Sequence, residues 1–532
     1  MIKGVIRYMN ITVKQTSIII DGYNKGDNTK IEGIFSVYNM TTHDYIYKAI
    51  EFVPDKQQLI LPRGIDIPYI KALFNTEAYL DRNSDPYDKI GDNKLKYTPR
   101  DDEQKEALKF MVGGYQYRSN LAKSQFCINL NTGKGKTYCS IATMMYFGLR
   151  SIVITSSIEW LEQWKKCILE YTTIKAKEIF LLSGMNSVMK LLRSDMSKYK
   201  IILASHNTIK SYGDKFGWDK VGELFVHMRV GLKFYDECHL NFDNMMKIDF
   251  HTNTFKTYYV SATPARSDRD EDRVYQLCFK NVPSIDLYDH DKDPRTAYLA
   301  IMYNSHPNPM QISDCKNIYG LDRNRYIDYV VKTPNYEYIL TYLINIALNN
   351  EGKMLIFIGT NNAILHTRDL ILNVFPQLYN DIGIFTSITE KQHKKEQLDK
   401  KIILSTTKSC GAAVDIKDLK ITVVLAEPFA SQVIARQTLG RTRDKDTYYI
   451  EIVDIGFKTI YKYYYRKKNV FSEYATSCKE TVFEDRYLLQ KYNEIYNNQL
   501  QLRTKNLVVP FQFSEPIQPF MFYGPILPFM FY

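Results

Sequence analysis

Asn131-Thr-Gly-Lys-Gly-Lys-Thr137 decides how the rest of the chain is read. The apolar run Phe126-Cys-Ile-Asn-Leu130 leads into it, and a helix-like stretch, Tyr138 to Phe147, comes next. A strand, a glycine-rich turn and a helix in that order place successive backbone N–H groups around an anion at the helix N-terminus. Lys136 then reaches the outer phosphates of a nucleoside triphosphate, and the Thr137 hydroxyl meets Mg²⁺. The full phosphate-loop pattern asks for glycine where this chain has Leu130, so Thr132, Gly133, Lys134, Gly135, Lys136 and Thr137 carry the reading.

Around that stretch the texture is an alternation of strands and helices. Phe126–Leu130, Ser151–Thr155, Ile201–Ala204, Leu232–Tyr235 and Tyr258–Ser261 are short apolar runs, each ending at a polar or glycine-containing stretch. The rhythm predicts a parallel sheet with helices on both faces and ligands at the C-terminal strand ends. It resumes with Met354–Ile358, Ile382–Phe385, Lys401–Leu404, Ile421–Leu425 and Tyr448–Val453, with helices expected at Tyr336–Leu348 and Gln432–Leu439. The expectation is an α/β chain with two tandem parallel-sheet domains, 96–295 and 296–470, of which the first alone has a phosphate loop.

Residues 1–95 read as a small α+β module. Strands are expected at Ile11–Lys14, Thr16–Ile20 and Gln58–Leu61, a helix at Pro68–Phe74, and a polar linker at Asp81–Asn93. Residues 471–532 read as an extension ending in a repeat, Ile517-Gln-Pro-Phe-Met-Phe-Tyr523 and Ile526-Leu-Pro-Phe-Met-Phe-Tyr532. Its prolines forbid a continuous helix. An extended apolar strap is expected instead, folding over its own domain or, through residues 515–532, docking on a protein partner.

Composition narrows the class. A net charge of +11 favours a polyanionic partner, although a soluble protein that merely happens to be basic has the same sum. Eight scattered cysteines without a C-x-x-C pair suggest neither a disulfide framework nor a zinc site, which fits a reducing cytoplasm. No apolar run is long enough to span a membrane, and the first residues carry no apolar signal core.

Asp236-Glu-Cys-His239 comes directly after the strand Leu232–Tyr235. Beside a phosphate loop, the first carboxylate of such a pair holds Mg²⁺ and the second orients and deprotonates water for attack on the outer phosphate. Ser261-Ala-Thr263, again directly after a strand, offers hydroxyls that could join those carboxylates to another element.

In this order the stretches resemble the motifs of the superfamily 2 helicases over residues 97 to about 470. Thr132–Thr137 resembles motif I, Asp236–His239 motif II, Ser261-Ala-Thr-Pro264 motif III and Gln437-Thr-Leu-Gly-Arg441 motif VI. Val153-Ile-Thr-Ser-Ser157 with Leu161-Glu-Gln-Trp164 resembles motif Ia, and motif V falls in Ser405–Asp415. Gln104 stands where the family places an adenine-reading glutamine. The Gln163-Trp164 pair and Ala262-Thr-Pro-Ala-Arg266 look most like the branch containing XPB and UvsW, and Ala49–Phe74 is loosely similar to the front domain of viral members.

The resemblance implies ATP and Mg²⁺ bound between two RecA-like domains, with a nucleic-acid strand lying across both. Lys136, Asp236, Glu237, Gln437, Arg441 and Arg443 would serve catalysis, with Thr137 and Asp236 on the metal and Arg441 as arginine finger. His239, Ser261, Thr263 and Asp415 would couple hydrolysis to movement. Ser156, Ser157, Ser205, His206, Thr406 and Thr407 are candidate phosphate-backbone contacts, and each is equally suited to cap a helix. Tyr461–Lys468 interleaves aromatics with cations, as a base-stacking segment or a solvated helix face. The chain departs from the family at Asp444, where motif VI carries arginine and Arg443 comes one residue early, and at Gly411-Ala-Ala-Val-Asp415, spaced more widely than G-x-D. The implied activity is an ATP-dependent DNA helicase or translocase of a bacterial virus, working on single-stranded or branched duplex DNA in the host cytoplasm. An RNA- or transcription-linked ATPase and a structural component with a degenerate helicase fold are the alternatives.

Overall fold

Ser151-Ile-Val-Ile-Thr155 is buried at every residue, and so is its neighbour Ile201–Ser205. Unbroken apolar runs of this kind belong to strands covered on both faces. The computed structural model describes residues 9–507 apart from 24–27, 40–43, 131–133, 157, 239–240, 262–268, 288–295, 319, 391, 411–415 and 440–445. It contains two such sheets, each of seven strands and parallel throughout. The first runs Ile179–Leu182, Ile201–Ser205, Ser151–Thr155, Leu232–Asp236, Lys256–Ser261, Gln125–Asn129, Ser284–Asp286. The second runs Ile382–Phe385, Ile402–Ser405, Lys353–Ile358, Leu419–Ala426, Thr447–Asp454, Thr296–Tyr303, Ser477–Val482. Numbered along the chain within each sheet, both read 3-4-2-5-6-1-7. The two tandem α/β domains of RecA type expected from the sequence are present.

Aromatic side chains hold the first sheet in register. Phe126, Tyr258 and Phe234 stack across three adjacent strands, with ring centroids 5.1 Å and 4.7 Å apart. Tyr235 and Tyr259 stack on the opposite face at 5.6 Å. Alternate residues of a strand point to opposite faces, so one pair of tyrosines on neighbouring positions serves both. The Tyr258 hydroxyl donates to the Met111 carbonyl at 2.9 Å, which ties the helix Asp102–Val112 to the sheet.

The second sheet draws in residues beyond 470. Ser477–Val482 pairs with Thr296–Tyr303 at the sheet edge, and the helix Asp485–Leu507 packs on Pro334–Leu348. Ser-Cys-Lys-Glu-Thr-Val has no apolar run because it is an exposed edge strand. The apolar repeat at 517–532 lies outside the described residues.

The N-terminal module has a five-stranded sheet, Glu51–Val53, Gln58–Pro62, Ser17–Asp21, Asn10–Val13, Ala78–Leu80, with helices Asn28–Phe35 and Ile67–Phe74. It is docked on the first domain rather than set apart. A Cβ at Gly64 would lie 2.2 Å from the Cys278 carbonyl oxygen, so the turn Pro62-Arg-Gly64 approaches the helix Arg269–Phe279 as only glycine allows. His251 meets Glu51 at 2.9 Å, and the Gln15 backbone N–H donates to Asn253 Oδ1 at 3.0 Å. The stretch Asp81–Asn93, expected as a linker, is bound along the first domain. Its Asp88 pairs with Arg150 at 2.7 Å and Arg229 at 2.6 Å, and Ile90 is buried.

Candidate nucleotide site

The strand Gln125–Asn129 delivers the chain to the loop, and the helix Lys136–Phe147 leaves it. That helix has no side-chain cap and no acidic residue in its first turn, so its N-terminal amides and positive dipole end suit an anion. Gly135 sits at φ +92, and a Cβ there would lie 2.2 Å from the Gln104 amide nitrogen. The backbone conformation favours glycine here, and any side chain would also have to displace the Gln104 amide.

Lys136 Nζ lies 3.4 Å from Glu237 Oε1 and donates to the Leu130 carbonyl at 3.4 Å. The phosphate-loop lysine and the carboxylate pair, 100 positions apart in sequence, are thus in contact. Leu232–Asp236 ends at that point, and Glu237 turns away with φ +49, a left-handed conformation that a non-glycine residue adopts at a cost. Burial, then the neighbouring Glu237, push the Asp236 carboxyl up from 3.8 to about 6. Trp164 opposes them, its indole N–H donating to Asp236 Oδ2 at 2.7 Å. Trp164 was legible only as part of motif Ia. Its contact with a residue 72 positions away has no local signal in the sequence.

Gln104 lies against the loop. Its amide nitrogen donates to the Lys134 carbonyl at 3.1 Å and its amide oxygen accepts from the Arg100 N–H at 2.9 Å. Each of these atoms retains one further donor or acceptor position. Lys134 is held by Glu103 at 2.9 Å and so faces the helix Asp102–Val112. Thr137 occupies the first turn of its helix, half-buried. Asp236 and Thr137 are hard oxygen donors, which fits Mg²⁺. Among the described residues no group of three or more His, Cys, Asp and Glu could hold a metal ion.

The remaining candidates divide. Ser261 ends the strand Lys256–Ser261, fully buried, and its carbonyl accepts from the Leu130 N–H at 3.2 Å. Ser156 accepts a hydrogen bond from Asn241 Nδ2 at 2.6 Å. Ser205 caps the helix His206–Phe216 through Thr208. His206, placed by its sequence at a strand end as a backbone contact, is 1% exposed and stacked on Tyr235, and burial lowers its pKa to about 3. A side chain so enclosed does not meet a strand in this arrangement. Thr406 bonds Ser409 at 3.0 Å, and Thr407 donates both its N–H, at 2.8 Å, and its hydroxyl to Glu427. Glu427 is buried, is held up in pKa by that burial, and also receives Arg323 at 2.6 Å. It succeeds the strand Leu419–Ala426 as Glu237 succeeds Leu232–Asp236, a parallel that the sequence motifs do not reveal. In the segment Tyr461–Lys468, Tyr464 is buried, while Lys467 pairs with Glu451 and lies 4.0 Å over the Phe429 ring. At least these two residues serve the domain's own packing.

Thr132, Gly133, Ser157, His239, Thr263, Asp415, Arg441, Arg443 and Asp444 lie outside the described residues, as does the side chain of Gln437, whose backbone is in the helix Gln432–Leu439.

The comparison with protein families bears on the loop, the carboxylate pair and Ser261 together. Residues 96–266 match the Type III restriction enzyme res subunit. This res-subunit match spans about a third of the chain, from just before Gln104 to the end of the Ser261–Arg266 stretch. No curated protein matches the chain. Among solved structures, S. cerevisiae Dbp5 bound to RNA and ADP–BeF3 is 15% identical, with 75% of this chain and 92% of Dbp5 covered and a TM-score of 0.48. UvsW of T4 is 14% identical, with 89% and 100% covered and a TM-score of 0.35.

Proposed function

We propose that the chain is an ATP-dependent, Mg²⁺-requiring superfamily 2 helicase or translocase acting on DNA. The observation that carries this reading is the contact of Lys136 with Glu237 beneath an uncapped helix N-terminus, in a chain whose second domain repeats the strand order of the first. The loop amides and Lys136 would hold the phosphates, displacing Lys136 from the protein acceptors it now uses. Thr137 and Asp236 would hold Mg²⁺, which supplies charge neutralisation at the phosphates. Glu237 would take the proton of the attacking water. The match to a restriction-enzyme subunit favours DNA over RNA as the partner. Arg441, Gln437 and Arg443 would act from the second domain, with Ser261, Thr263, His239 and Asp415 in coupling.

The test is ATP hydrolysis without nucleic acid and with single-stranded, duplex or branched DNA or RNA, at two salt concentrations. DNA-stimulated hydrolysis that weakens as salt rises supports the reading, because contacts to phosphates release counterions. Stimulation by RNA alone would move the chain to the RNA-linked alternative. Absence of hydrolysis under every condition would sink the assignment.

A further inference from the structure

Two hydrogen bonds join the segment after Thr155 to the segment around Asp236, and neither belongs to the phosphate loop. Trp164, 2% exposed, donates its indole N–H to Asp236 Oδ2 at 2.7 Å. Asn241, at the start of the helix Phe242–His251, donates to Ser156 Oγ at 2.6 Å. The strands that end at Thr155 and Asp236 are neighbours in the sheet, so both bonds bridge the same pair of strand ends.

We infer that Trp164 is the positioning residue of Asp236. The inference rests on the ATPase reading above. An indole N–H is a donor only, so the oxygen it meets must accept, and the bond fixes the rotation of the carboxylate. A serine or water at this place could reverse its role and leave the rotation undetermined. Trp164 lies six residues into the helix Ile158–Tyr171, about 9 Å along its axis from the end next to Ser156.

The test uses the full chain. Trp164→Phe keeps the ring and removes the N–H. The expected result is a roughly tenfold rise in the Mg²⁺ concentration that half-saturates ADP binding by calorimetry, the scale of one hydrogen bond to a charged group. Thermal stability should stay close to wild type. A third measurement is independent of how Trp164→Phe folds. Only three tryptophans are present, so the double variant Trp160→Phe/Trp218→Phe leaves Trp164 as the sole tryptophan, and its fluorescence, excited selectively over the tyrosines, should change when MgADP binds. Unaltered Mg²⁺ dependence in a folded Trp164→Phe, or a sole-Trp164 emission blind to MgADP, would overturn the inference while wild-type hydrolysis stands. Wild type that neither binds MgADP nor hydrolyses ATP would overturn the ATPase reading and this inference with it.

Discussion

The two sheets share one strand order and differ in the loops that leave their first and fifth strands. In the first domain, the first strand runs into a glycine-rich loop and an uncapped helix. In the second, Thr296–Tyr303 runs into Asn304-Ser-His-Pro-Asn308, where Ser305 bonds Asp454 through both its N–H and its hydroxyl, and Asn308 caps the next helix. After the fifth strand, Asp236 and Glu237 face Lys136, whereas Glu427 is satisfied by Arg323 and Thr407. The same frame therefore carries the candidate nucleotide site in one copy and a closed polar cluster in the other. Chemistry in this fold lives in the strand-end loops.

The sharpest way to break the comparison is to remove its active member. Lys136→Ala or Glu237→Gln should lower stimulated hydrolysis by roughly 10²–10³-fold, the scale of losing a group that stabilises charge in the transition state, with an unchanged circular dichroism spectrum. Undiminished turnover in either variant would count against the assignment. The counterpart in the second domain should behave in the opposite manner. Glu427→Ala leaves Arg323 and Thr407 without their acceptor and should cost about 2 kcal/mol of stability in denaturant unfolding, while ADP binding persists.

A pH series sharpens the contrast. A carboxylate whose folded pKa exceeds its unfolded one binds more protons in the native state between the two values. Asp236, raised from 3.8 to about 6, should therefore make the ligand-free protein less stable as pH rises across that window. Hydrolysis needs the ionised carboxylate and should rise over the same window. Thermal melts without nucleotide and a pH–rate profile would show the two slopes with opposite sign. The smallest expected effect concerns the segment Asp81–Asn93. Asp88→Asn keeps the shape but weakens the pairs to Arg150 and Arg229, at a cost of about 1 kcal/mol, measurable as a modest loss of thermal stability with normal kinetics.

The frame was legible because buried parallel strands must be apolar on both faces, and Ile152, Leu203, Phe234 and Leu404 declare that in any window of five residues. Lys136 and Asp236–Glu237 stood out as candidates because phosphate chemistry restricts which residues can come after such strands, and the structure brings Lys136 to Glu237. The features that stayed hidden depend on distant partners. Asp81–Asn93 looks like solvent-exposed chain until Arg150 and Arg229 are seen to neutralise Asp88. Ser477–Val482 is polar because it lies at an edge, and His206 carries no mark in the sequence of the Tyr235 ring that covers it.

The docking of the N-terminal module has a consequence for how the protein is made. Thr16 bonds the Thr252 carbonyl, 236 residues later, and Arg273 donates to the Ile34 carbonyl across 239. A ribosome adding about 5–20 residues per second needs roughly 10–50 s to deliver those partners. For that interval the face of the module that carries Ala49, Ile60 and Gly64 has nothing to cover it. The nascent chain therefore carries that apolar surface bare until the first domain's half of the docking face has been made.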